Sequence, residues 1–299
     1  MIRFNIGFGG NHIVLKDFDK YKYFYHIKAY VIDEKQYSYC DFIHDNKVIN
    51  ELEKIIDYKD KVINVIKINI YNYKLRNWID INKLIWCNLS FNLNAIYLLE
   101  KNLNKINWKN LSRNPNAIHI LEKKLNKINW DNLSLNPNAI HLLEKNKKKI
   151  NWDLLSENTN AIHLLEENIE KINWCFLSSN PNAIELLEKY PNKINYCYLS
   201  LNRNAIHLLE RNLNKIYWYW LSKNPSAIHI LEKKLDKLKD LGNLSLNQNA
   251  IHLLEKYSDK INWYWLSENP SAIHIIEKNQ DKIAWYPFSY NPEIFELEY

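Results

Sequence analysis

The chain has 299 residues with 40 basic and 34 acidic side chains, and its formal charge of +6 is too mild to mark the strongly basic face of a nucleic-acid binder. Four glycines and eight prolines in an ordinary apolar background exclude collagen-like and disordered classes. No run reaches the roughly 18 apolar residues of a membrane span, and the start, Met1-Ile2-Arg3-Phe4-Asn5-Ile6-Gly7, lacks a positive segment followed by a long apolar core. The expectation is an intracellular protein that is not secreted.

Residues 1–77 read as a small α+β domain. Stretches 2–8, 13–15, 21–32 and 62–71 alternate or run apolar with Tyr, Val and Ile, which suggests strands. Asp45 or Asn46 can cap a helix over 47–57, where Val48, Ile49, Leu52, Ile55 and Ile56 share one face. Residues 78–85 read as a degenerate first unit docked onto the repeat array that begins at Trp86.

Residues 78–299 are dominated by one repeated motif of 22 residues. Its tryptophan recurs at Trp86, Trp108, Trp130, Trp152 and Trp174, continues as Tyr196 and Trp218, and then, after one inserted residue, as Leu241, Trp263 and Trp285. The alanine column slips at the same place, from Ala227 to Ala250. Tandem units of this length predict a mainly α protein, an α-solenoid of about ten two-helix repeats.

The first helix of a unit starts at Asn-Pro, as at Asn136-Pro137, where asparagine caps and proline tolerates the first position. Ala139, Ile140, Leu142 and Leu143 then form an apolar face. The second helix is short, over about 149–156, and carries Ile150, Trp152 and Leu155. One unit cannot bury enough apolar surface to offset its own backbone entropy, so indoles and leucines are expected in a shared dry interior between neighbours. The last residues, 286–299, degenerate, and their glutamates are expected to solvate the outer face of a terminal cap.

The motif Trp-x-x-Leu-Ser-x-Asn-Pro-Asn-Ala-Ile-His-Leu-Leu-Glu-Lys, complete at 130–145, resembles the Asn/Ile/Lys-rich repeat proteins of giant DNA viruses of amoebae, the mimivirus-like group. The likeness covers about two-thirds of the chain, from Trp86 onward. It implies a virally encoded protein in the cytoplasm of an infected host or in the virion, from a family with no established activity. At the level of architecture the short unit is also similar to leucine-rich-variant helical repeats.

Several columns could carry chemistry. Histidine recurs at His119, His141, His163, His207, His229, His252 and His274. Neighbours in this column should lie about 10 Å apart, too far to share a metal whose donors sit at about 2 Å. The favoured reading is a polar helix face on which each His pairs with the Glu three residues on, as His141 with Glu144. Unbroken Glu and Lys columns, such as Glu122, Glu144 and Glu166 with Lys127, Lys149 and Lys171, read as solvated rows of exposed pairs, or else as a charged groove. Asn107, Asn129 and their equivalents are expected to bond backbone in the turn between helices. Of the four cysteines, Cys40, Cys87, Cys175 and Cys197, none forms a CxxC pair. Cys175 and Cys197 share a column in stacked units, which stand farther apart than a disulfide allows, so all four read as free thiols.

Departures from the motif are more informative than the motif. Two residues after the tryptophan column, early units carry Asn88, Asn110 and Asn132, whereas later ones carry Phe176, Tyr198, Trp220 and Trp265. Tyr219 and Tyr264 stand one residue after it. These six aromatics are the candidate partner-binding residues, with packing between successive units as the competing explanation.

The functional expectation is a non-enzymatic protein–protein interaction or scaffolding repeat protein. Its protein partners, host or viral, are unidentified, and it has no catalytic residue, no metal and no cofactor. The alternative is a nucleic-acid-binding solenoid using lysine rows and aromatic side chains. An enzyme confined to residues 1–77 could draw on His12, His26, His44, Asp17 and Asp19, but no spacing marks a site.

Overall fold

The computed structural model describes residues 73–238 and 241–297, together with five strands nearer the N-terminus. Those strands are β1 (Arg3–Ile6), β2 (Asn11–Val14), β3 (Cys40–His44), β4 (Lys47–Val48) and β5 (Val62–Lys67). They form one sheet in the order β2-β1-β5-β3-β4, with β1 and β5 parallel and the other neighbours antiparallel. Strands β1 and β5 fall within the expected stretches 2–8 and 62–71, and β2 starts at Asn11, just ahead of 13–15. The helix expected from Lys47 does not start there, because Lys47 and Val48 pair with His44 and Ile43 in a ladder. The rest of that stretch, and 21–32, lie outside the described residues.

From Trp86 the units share a common build, which unit ten breaks off after its tryptophan helix. One α-helix starts on the tryptophan (Trp130–Ser134), a second on the isoleucine (Ile140–Lys145), and a 3-10 turn (Lys147–Lys149) leads to the next unit. Asn129 caps the first helix by accepting the Asn132 N–H. Asn136 accepts the Asn138 N–H, and Pro137 opens a 3-10 turn that feeds the isoleucine helix. The series runs from Trp86–Leu89 to Trp285–Phe288, and unit eight alone replaces its tryptophan helix with a 3-10 segment, Leu241–Leu246.

The leucine and alanine columns form the core: Leu111, Leu133, Leu155, Ala117, Ala139 and Ala161 have no exposed surface. The tryptophans differ from expectation. They are half-buried at the edge of that core, and in several units the lysine of the 3-10 turn that closes the unit covers the exposed ring face. Lys149 Nζ stands 4.3 Å from the Trp130 ring centre, Lys171 4.4 Å from Trp152 and Lys215 4.5 Å from Tyr196. A lysine stem dries the indole while its ammonium stays wet and meets the negative ring face. The lysine row is therefore packed, not merely solvated.

A ladder of buried asparagines joins the units. The Asn136 side-chain amide donates to the Ser112 and Asn114 carbonyls, both at 3.0 Å. The same pair of bonds recurs at Asn114, Asn158, Asn180, Asn202, Asn224, Asn247, Asn269 and Asn291. Only an amide can do this, since it needs two donors and one acceptor on one short side chain.

The ladder has no end. Asn92 of unit one donates to Ser289 O at 3.1 Å and to Asn291 O at 2.8 Å in unit ten. The Ile85 N–H donates to Ser289 Oγ at 2.9 Å, as the Asn107 N–H does to Ser90 Oγ. Lys83 covers Trp285 at 5.1 Å. Strand β6 (Tyr73–Leu75) then pairs antiparallel with β7 (Phe295–Leu297), and Arg76 donates to the Glu293 carbonyl at 2.7 Å and to Glu296 at 3.3 Å. The solenoid is a closed ring of ten units. The expected solvated C-terminal cap does not exist: unit one covers the last face, and Glu293 and Glu296 serve Arg76.

Closure follows from wedge-shaped units. Tryptophan helices of neighbours pack directly, Trp108–Arg113 against Trp130–Ser134, with Asn110 donating to the Cys87 carbonyl at 2.7 Å. Isoleucine helices are spanned instead by two side chains, as His119 Nε2 to Glu100 Oε1 at 2.9 Å and His141 to Glu122 at 2.8 Å. Short links on one side and long links on the other put the tryptophan helices on the inner wall. The histidines thus pair with the preceding unit's glutamate, not with the one three residues on. Within a helix that short the next unit's histidine lies nearer to each carboxylate.

Candidate functional site

The tryptophan helix turns its first and fifth positions after Trp away from the core, one turn apart on one face. On the inner wall these columns face the ring axis. Lys223, in the fifth column of unit seven, reaches across unit eight to lie 5.0 Å over Trp265 of unit nine. A contact that skips a unit requires a concave surface.

Units seven, nine and ten make this wall aromatic. Tyr219 and Tyr264 are exposed, at 44% and 45%, and each stands edge-on to its neighbouring indole, Trp220 at 5.1 Å and Trp265 at 5.0 Å. Trp220 and Trp265 are half-buried and hold the tyrosines upright. Phe176 and Tyr198 are also half-buried and pack on each other edge to face at 5.7 Å, so these two bridge adjacent units. The six candidate residues therefore fall into different roles: Tyr219 and Tyr264 present surface, Trp220 and Trp265 support it, and Phe176 and Tyr198 pack between units five and six.

Four further aromatics, Phe91, Tyr217, Tyr286 and Tyr290, belong to this wall and are not among the six. Tyr217 and Tyr286 are exposed at 46% and 51%, and Tyr290 packs on Tyr286 and on Phe91 across the seam. The fifth column after Trp is the sequence signal for Phe91, Lys223 and Tyr290. Burial pushes the Glu268 carboxyl above its ordinary value, partly countered by Lys223. Burial, and then its hydrogen bond with Tyr286, raise the Tyr290 phenol well above the usual range.

Opposite lies a polar arc. Asp131, Asp153 and Glu157 occupy the same two columns in units three and four, with Asn151 and Asn173 donating to the two aspartates at 2.9 and 3.1 Å. Cys175 and Cys197 follow as exposed free thiols, and Cys87 is free in unit one. Among the described residues no group of three His, Cys, Asp or Glu side chains could hold a metal ion. A separate cavity of about 670 Å³ opens between units six and seven, lined by Leu213, Trp218, Ile230, Lys233 and Lys234.

Among the described residues no helix is long and apolar enough to cross a membrane. Comparison with family models, with characterised proteins and with solved structures gives no match to this chain.

Proposed function

We propose that this protein is a non-enzymatic interaction ring that captures a protein partner through the aromatic arc of its inner wall. One observation carries the reading: Tyr219, Tyr264 and Tyr286 stand exposed on a single concave face, buttressed by indoles and by Lys223. Rigid, half-dry aromatic clusters are the side chains on which binding energy concentrates in protein interfaces. In the lysine row Lys105, Lys149 and Lys171 serve as covers for Trp86, Trp130 and Trp152. The likeness to giant-virus repeat proteins, carried over, would make the partner a host or viral protein within an infected cell.

The test is affinity capture with the full chain and with a Tyr219→Ser/Tyr264→Ser variant. Captured partner should fall at least about tenfold while helical circular dichroism and melting stay unchanged. Equal capture by both proteins would remove the aromatic arc from the interaction.

A further inference from the structure

The closed ring bounds a central opening whose size and lining point to a partner. Ten helices at interaxial distances of about 8–10 Å lie on a circle about 13–16 Å in radius. Subtracting the half-width of a helix leaves an opening roughly 15–20 Å across. A single α-helix, about 10–12 Å wide with side chains, fits it.

The lining is two-sided. Units three and four stand half a turn from units eight and nine. In the two inward columns, units three and four place Asp131, Asp153 and Glu157 and no cation. Asn151 and Asn173, which bond the aspartates, are neutral and leave the charge in place. The nearest inward cations are Lys109 and Arg113 of unit two, and Arg113 lies 5.2 Å over Phe91. Across the opening, units seven, nine and ten present Tyr219, Tyr264, Tyr286 and Tyr290, unit eight places the small Gly242 between them, and there Lys223 offsets Glu268.

We propose that the opening admits one amphipathic α-helix, with its basic face toward Asp131, Asp153 and Glu157 and its apolar face toward the tyrosines. This rests on the aromatic arc being the interaction surface and names the partner's chemistry. Charge and apolar complementarity on opposite walls fix the rotation of the helix as well as its binding. Because Asn92 and Asn291 close the wall, the helix enters end-on and must belong to a segment with a free end.

The test uses the full chain and a fluorescent peptide of roughly 18 residues with leucine on one helical face and lysine on the other. The leucine/glutamate peptide of the same pattern is the control. One peptide per ring should bind, and the control should bind at least about tenfold more weakly. Asp131→Asn/Asp153→Asn/Glu157→Gln and, separately, Tyr219→Ser/Tyr264→Ser should each weaken binding about tenfold or more. The same peptide fused to a folded domain at both ends should fail to associate, whereas fusion at one end should not matter. Wild-type affinity in the acidic-arc variant, or equal association of the doubly fused peptide, would overturn the proposal. If the tyrosine variant alone loses binding, the interaction surface stands and the threaded helix falls. If neither variant loses it, both fall.

Discussion

The side-chain amide of Asn92 donates to the backbone carbonyl of Asn291 at 2.8 Å, although 199 residues separate them. It is the bond that Asn114 makes to Asn92 at 3.0 Å within the series. A junction between the two ends of the array is therefore chemically the same as a junction in its middle.

That equivalence predicts equal losses. Asn180 makes two bonds to carbonyls of the preceding unit and accepts the Asn182 N–H, and Asn92 makes the matching three. Replacing either by alanine strands two buried carbonyls, at a cost of about 2–5 kcal/mol. Urea unfolding should place Asn92→Ala and Asn180→Ala within about 1 kcal/mol of each other. A loss at Asn180 with none at Asn92 would mean the seam contributes nothing.

The lysine row has its own signature. Lys149 covers the Trp130 ring at 4.3 Å, so Lys149→Ala removes both a cation–π contact and the stem that shields the indole. The expected loss is about 0.5–1 kcal/mol, with a red shift of tryptophan emission. Lys149→Met, which keeps an apolar stem, should retain part of the stability and most of the shielding. Identical behaviour of the two variants would show that the stem plays no part.

Glu268 gives a pH dependence with a definite sign. Burial raises its pKa above the ordinary 4.5, so the folded ring holds the proton more tightly than the unfolded chain does. Its contribution to stability is therefore present below 4.5 and is lost as pH rises from there through the raised folded value. Glu268→Gln should melt higher than wild type at neutral pH, and the difference should vanish on acidification below about 4. A variant less stable than wild type at neutral pH would show that attraction to Lys223 outweighs burial.

Much of the fold was legible because the Trp, Ala and Asn-Pro columns repeat in register, from Trp86, Ala95 and Asn114 onward. Closure was not legible. It depends on how closely neighbouring tryptophan helices pack compared with the isoleucine helices, which pairs such as His119 and Glu100 span, summed around the ring, and neither spacing is written in one repeat. The histidine partners were hidden for a related reason. A single helix offers Glu144 to His141, but stacking brings Glu122 to 2.8 Å. At the candidate site the change from Asn110 to Trp220 was visible, yet the split between the exposed Tyr219 and the half-buried Trp220 depends on which face the next unit covers.

The ring itself is tested most directly by a distance across the seam. Spin labels on the exposed Ile81 and Tyr286 sit in the turn just before unit one and in unit ten. Pulsed electron resonance on the full chain should give one narrow distance of roughly 20 Å or less, as for adjacent helices at about 8–10 Å plus label length. An open stack of ten units would put the labels at something like ~80 Å or more, and a distribution centred beyond about 50 Å would contradict closure and everything built on it.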